Sequence, residues 1–163
     1  MNQLPVPTSI SPKVFISSTV NEFRDIRSAL GHFLRQQGAT VYLSEAVDFP
    51  VTGDRSALEQ CFQNIRNSDY YILIIGKARG ALFNGSVSVT RQEYRVAKDS
   101  LLATGHPRLL LYVREDAKQL IKDGDIVSQQ KAGIDDAEHL KAFIAQVESA
   151  SKPDEPSFLA RFR

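Results

Sequence analysis

The sequence predicts an α/β fold built on a parallel sheet, and three observations carry that reading. Short β-rich runs alternate along the chain with segments of helical periodicity. The run Tyr70-Tyr71-Ile72-Leu73-Ile74-Ile75 is apolar throughout rather than alternating. That pattern marks a strand buried on both faces, as in a parallel sheet covered by helices. The chain has 163 residues, enough for five strand–helix units but too few for an eight-unit barrel. Short connections and right-handed crossovers then favour a flavodoxin-like three-layer sandwich of four to five strands in the order 2-1-3-4-5.

Each element has its own local warrant. Lys13-Val14-Phe15-Ile16 reads as the first strand, ending in Ser17-Ser18-Thr19, whose hydroxyls suit a strand end and a helix cap. Phe23, Ile26, Leu30, Phe33 and Leu34 recur in steps of three and four, so a helix follows, stopped at Gly38. Thr40 to Leu43 form the second strand, delivering Ser44 and Glu45. Residues 46–53 read as a loop, and Asp54 as the N-cap of a helix with Leu58, Cys61, Phe62 and Ile65 on one stripe. After the third strand, residues 76–85 read as a glycine-containing loop, and Ser88 caps a helix reaching about residue 103. Gly105-His106-Pro107 breaks the chain before a fourth strand, Leu109-Leu110-Leu111-Tyr112-Val113. Residues 115–133 are polar and poorly periodic, with one helical turn expected near Leu120-Ile121. Asp135 or Asp136 opens a last helix with Leu140, Phe143, Ile144 and Val147 on one face, and residues 157–163 read as the start of a fifth strand.

Composition narrows the function classes. Twenty Lys and Arg oppose nineteen Asp and Glu, so neither nucleic acid nor an anionic membrane is expected as the main partner. A single Cys excludes an internal disulfide and a cysteine-built zinc site, and His32, His106 and His139 share no ligand spacing, so no metal is expected. No secretory signal or membrane-length apolar run is present, which predicts a cytoplasmic protein. Residues 1–11 are expected to be a disordered lead and residues 12–163 a single domain.

In such a sheet, ligands bind beyond the carboxyl ends of the strands, where strand order reverses. The first strand delivers Ser17, Ser18 and Thr19 to that edge, the second Ser44 and Glu45, and the third Gly76, Lys77, Arg79 and Gly80. Hydroxyls, a carboxylate, cations and permissive backbone suit a phosphorylated or ribosylated small molecule. Polar loop ends of this kind also occur without a ligand. Glu93 is the sharpest single residue. At about 100° per residue it lies between Val89 and Ala97, inside the apolar arc of its helix. A carboxylate placed there needs a partner and has a raised pKa, both marks of a functional site. The competing arrangement is a rim position bonded to Arg91 or Arg95. Cys61 reads as a core thiol, and Tyr70 and Tyr71 as sheet residues.

The ordered set Lys13-Val14-Phe15-Ile16-Ser17-Ser18-Thr19, then the 25–27 segment, Glu45, Cys61, Ser68-Asp69, Ile75-Gly76, Gly80 and Ser88-x-Thr90-x-x-Glu93-Tyr94 resembles an uncharacterised family of TIR-like domains. Its members often form the N-terminal module of bacterial proteins carrying a STAND-type NTPase. The resemblance spans residues 12–113 and implies a TIR-like fold with a role in prokaryotic anti-phage defence or signalling. In enzymatic TIR domains a Glu on the helix after the third strand carries NAD cleavage, and Glu93 holds that place here. The resemblance thus implies NAD as substrate rather than as cofactor, and Glu93 as the catalytic residue. Ser17, Ser18, Thr19, Glu45, Gly76 and Gly80 would border the substrate and Arg79 would meet its phosphates. Similar sequences usually carry an aromatic residue where this chain has Arg79, a departure that bears on pocket shape. Three readings follow: an NAD-cleaving effector switched on by self-association, a non-catalytic interaction module of a STAND-NTPase sensor, and a domain that binds a nucleotide signal without cleaving it. The expected partners are NAD or a related nucleotide, further copies of the chain, and the remainder of a longer protein of which residues 1–163 form the N-terminal part.

Overall fold

The computed structural model describes the backbone of residues 10–45, 56–150 and 157–162, and the side chains of residues 10–45 and 56–149. Residues 1–9 of the lead expected at 1–11, the whole of the 46–53 loop and Asp54 therefore lie outside the described residues. The elements run β1 (Lys13–Ser18), α1 (Val20–Gln36), β2 (Thr40–Tyr42), α2 (Ala57–Arg66), β3 (Tyr70–Ile75), β4 (Leu82–Phe83), β5 (Val87–Ser88), α3 (Val89–Thr104), β6 (Arg108–Arg114), α4 (Glu115–Asp123), α5 (Ile126–Lys131), α6 (Ala137–Ala150) and β7 (Ser157–Phe162).

Five strands pair in parallel in the order β2-β1-β3-β6-β7, the 2-1-3-4-5 order expected from the sequence. Successive side chains of a strand point to opposite faces, and the sheet divides its apolar residues accordingly. Phe15, Tyr71, Leu73, Ile75, Leu109, Leu111 and Val113 join α2, α3, α4 and α6 in the larger core. Val14, Ile16, Ile72 and Ile74 join Phe23 of α1 in the smaller one. Burial on both faces explains why β3 has no polar alternation. On the α1 side the cover is thinner. Leu110 and Tyr112 are only half-buried, and an apolar groove of about 230 Å³ opens between Ile26, Leu30, Ile72, Ile74 and Tyr112.

Three sequence readings need correction. The stripe of α1 is rotated: Phe23, Arg27 and Gly31 face inward, while Ile26 is 48% and Phe33 56% exposed. Two side-chain demands set that rotation. Arg27 reaches strand-end acceptors described below, and Gly31 lets Leu43 approach so closely that a β-carbon would stand 2.9 Å from Leu43 Cδ1. Within 76–85, read as loop, β4 forms and pairs antiparallel with β5; strands of two residues are too short to show a period. Within 115–133, read as poorly periodic with one helical turn near Leu120-Ile121, two helices form, α4 and α5. Only Ala117 of the two helices is fully buried, so their inward face carries too few apolar residues to register as a stripe.

The caps are local chemistry. Ser88 Oγ accepts from the Arg91 N–H at 3.2 Å, and Ser56 caps α2, accepting from Glu59 N–H at 3.2 Å. Asp136 caps α6, its Oδ1 accepting from the His139 N–H at 3.0 Å. Among the described residues, no helix is long and apolar enough to cross a membrane.

Candidate functional site

The crossover from β1 to β2 runs through α1 on one face, and the return from β2 to β3 runs through α2 on the other. The order of strands therefore reverses between β1 and β3, and the crevice rule directs attention to their carboxyl ends. Glu93 reaches this edge from α3. Its inward face comprises Thr90, Glu93, Tyr94, Val96, Ala97 and Leu101, and Glu93 itself is 5% exposed. The Ser17 hydroxyl, at the end of β1, donates to Glu93 Oε2 at 2.5 Å. The alternative of a rim carboxylate bonded to Arg91 or Arg95 does not hold: Glu93 is buried and bonded to Ser17, and the Arg91 Nε donates to Gln146 at 2.8 Å.

Burial pushes the Glu93 carboxyl up to about 7, against the Ser17 hydrogen bond and the Arg27 charge, which both favour the carboxylate; Glu45 acts in the upward direction. Glu93 in turn raises its neighbours. Burial first, then the Glu93 charge, pushes the Cys61 thiol up to about 12 and holds the Tyr71 phenol well above its ordinary value. Cys61 is thus a core thiol with no nucleophilic character near neutral pH. Tyr71 is fully buried and stacks on Phe15 with ring centroids 6.0 Å apart, a sheet residue as expected.

A second polar group lies on the α1 side of β1. Arg27 is 1% exposed, and its guanidinium forks onto the Glu45 carboxylate, with Nε 2.5 Å from Oε1 and a second contact from Nη2 to Oε2. Its Nη1 donates to Ser18 Oγ at 3.0 Å. One buried cation thereby ties the ends of β1 and β2 to α1, and it holds the Glu45 carboxyl below its ordinary value although burial opposes that shift. Ser18 and Glu45 are spent on this clamp.

The loop after β3 closes over the edge. Thr19 Oγ1 donates to the Ala78 carbonyl at 3.0 Å, and Gly80 lies against the Thr19 methyl. Glu22, in the first turn of α1, accepts from the backbone N–H groups of Lys77 and Ala78 at 2.9 Å each. Arg79 turns toward the start of α6: its backbone N–H donates to Asp135 at 2.8 Å and its guanidinium to Asp136 at 2.9 Å. The space left among Thr19, Gly76, Arg79, Ser88, Thr90 and His139 is about 10 Å³, room for about one water molecule. His139 is committed there as well, its Nε2 accepting from the Ser88 N–H at 3.3 Å.

The candidate site residues named from the sequence fall into three groups rather than around one open pocket. Glu93 meets Ser17, Ser18 and Glu45 meet Arg27, and Thr19, Gly76, Arg79 and Gly80 form the closed loop junction. Sequence reasoning missed Arg27, Glu22, Asp135 and Asp136. Arg27 stands four residues from both Phe23 and Gly31, a spacing that places it on the inward face once the stripe is centred there. Among the described residues, no group of three or more His, Cys, Asp or Glu is arranged to hold a metal ion.

Residues 13–159 match the family model described as Domain of unknown function (DUF4062), and the chain belongs to that family. No curated protein matches the chain, and no solved structure does.

Proposed function

We propose that this member of the DUF4062 family is a TIR-like effector domain of a prokaryotic defence system, whose Glu93 cleaves the nicotinamide–ribose bond of NAD. The observation that carries the reading is a carboxylate 5% exposed on α3, hydrogen-bonded to Ser17 at the strand end beside the β1/β3 reversal. A core position would be filled more cheaply by an apolar side chain, so burial of this acid asks for a function. In the reaction, the C1′–N bond breaks and its electron pair leaves with nicotinamide. Positive charge develops on the ribose, and the Glu93 carboxylate stabilises it. Water then adds at C1′ and releases a proton, giving ADP-ribose. A fixed anion in a site shielded from water is effective against such charge. Since the ionised form is the stabilising one, the rate rises with pH up to about 7, where Glu93 ionises, and levels above it.

A nucleotide needs a pocket of some hundreds of Å³, and the crevice encloses about 10 Å³. Activity on this reading therefore requires displacement of the loop carrying Arg79, with exchange of its Asp135 and Asp136 partners for a ligand or a neighbouring copy. Self-association of the domain, within a longer cytoplasmic protein bearing a STAND-type NTPase, is the proposed trigger. The test compares nicotinamide release by artificially clustered wild-type protein and by Glu93→Gln. Release by the first and loss of at least a hundredfold in the second support the reading.

The exposed Ile26 and Phe33 on α1 favour a second reading, a non-catalytic module that binds partners through that helix. It requires Glu93→Gln to retain full signalling while Ile26→Lys or Phe33→Glu abolishes it.

A further inference from the structure

We infer that the consecutive backbone N–H groups of Lys77 and Ala78, together with Arg114, form an anion subsite for a phosphate group, which Glu22 occupies as an internal stand-in. The inference rests on the nucleotide reading for its natural ligand, the pyrophosphate of a dinucleotide, and assigns that group a place.

Two adjacent backbone amides converge on one carboxylate. Lys77 N–H donates to both Glu22 oxygens, at 2.9 and 3.0 Å, and Ala78 N–H to Oε2 at 2.9 Å. Arg114, at the end of β6, approaches Oε1 at 3.5 Å. Two adjacent amides and a guanidinium converging on one carboxylate are an arrangement that also receives phosphate oxygens. Gly76 keeps this place open, because a β-carbon there would stand 2.2 Å from Glu22 Oε1. Any side chain at 76 would fill the space the anion uses. The subsite also lies at the N-terminal turn of the 17-residue α1, where the helix dipole favours negative charge, and beside the β1/β3 reversal.

The local charge balance suits exchange. Lys77 Nζ and Arg114 Nε each lie 2.8 Å from Asp116, whose carboxylate is 45% exposed at the rim. Withdrawal of Glu22 leaves two cations and two amides facing one rim carboxylate, a net positive charge that another anion can neutralise. The pyrophosphate of a dinucleotide carries two negative charges and more acceptor oxygens than the single carboxylate it replaces. Glu22 thus acts as a competing internal ligand that holds the loop shut until an anion displaces it.

The experiment is isothermal titration of inorganic pyrophosphate and of ADP-ribose, in phosphate-free low-salt buffer, into wild type, Glu22→Ala, Glu22→Gln and the double variant Glu22→Ala/Arg114→Ala. Circular dichroism verifies that each is folded. Glu22→Ala is expected to bind pyrophosphate at least tenfold more tightly than wild type. Glu22→Gln, which keeps the size of the side chain, gains in the same direction, and Arg114→Ala removes the gain. If Glu22→Ala fails to fold, the Gln variant decides. A folded Glu22 variant with affinity equal to or below that of wild type overturns the inference, as does a gain that survives loss of Arg114. Pyrophosphate has no glycosidic bond, so this result is independent of whether Glu93 cleaves NAD.

Discussion

Glu93 is held between opposing forces, since burial favours the neutral acid while Ser17 and the Arg27 charge favour the anion. Its folded-state pKa of about 7 lies above the value of 4.5 expected in the unfolded chain. The folded protein therefore keeps a proton that the unfolded chain has lost, and stability falls as pH rises from about 4.5 to about 7, then levels. Glu93→Gln does not titrate. Its Tm is predicted to gain on wild type by several degrees between pH 5 and pH 8, the equivalent of at most about 3 kcal/mol. Thermal melts at both pH values check this, and an unchanged difference counts against a buried, shifted acid. Glu45→Ala tests the other polar group. It leaves the Arg27 guanidinium buried without its counter-charge and is predicted to destabilise by about 3 kcal/mol in urea titration. The two acids differed in legibility for a physical reason. Glu93 stands inside an apolar arc, where a charge is conspicuous. Glu45 reveals its role only through Arg27, which comes from another element.

At the scale of elements, strands β1, β3 and β6 were legible because each is a dense apolar run with a turn signal at its end. The helix α1 was legible as a helix but not in its rotation. A hydrophobic stripe locates the mean apolar direction, whereas the inward face here was chosen by the Arg27 clamp and the Gly31–Leu43 contact. Ile26 and Phe33 consequently lie at the surface. Ile26→Lys and Phe33→Glu are predicted to change stability by no more than about 0.5 kcal/mol each. If α1 is the interaction surface, they lower the mass of any assembly seen by light scattering; if assembly is untouched, that second reading loses its support. The helices α4 and α5 and the β4/β5 hairpin were not legible. They are short, mostly half-exposed, and held by side-chain contacts that leave no periodic signal, as when Gln129 Nε2 donates to the Leu120 and Gly124 carbonyls at 3.0 Å each.

At the scale of the molecule, strand order was the most consequential reading, because it alone places the crevice between β1 and β3. What the sequence could not convey is that the crevice is shut. Its closure depends on pairs far apart in the chain: Glu22 with Lys77 and Ala78, Thr19 with Ala78, and Arg79 with Asp135 and Asp136. The lock predicts that Asp136→Ala lowers the threshold for activity in the clustered protein, by freeing the Arg79 guanidinium; nicotinamide release measured against degree of clustering checks it. The role of Glu93 is decided by nicotinamide release from folded, artificially clustered protein, wild type beside Glu93→Gln. Steady release by wild type and a loss of at least a hundredfold in the variant are expected. No release from the clustered wild type, or equal release from both, would contradict that role.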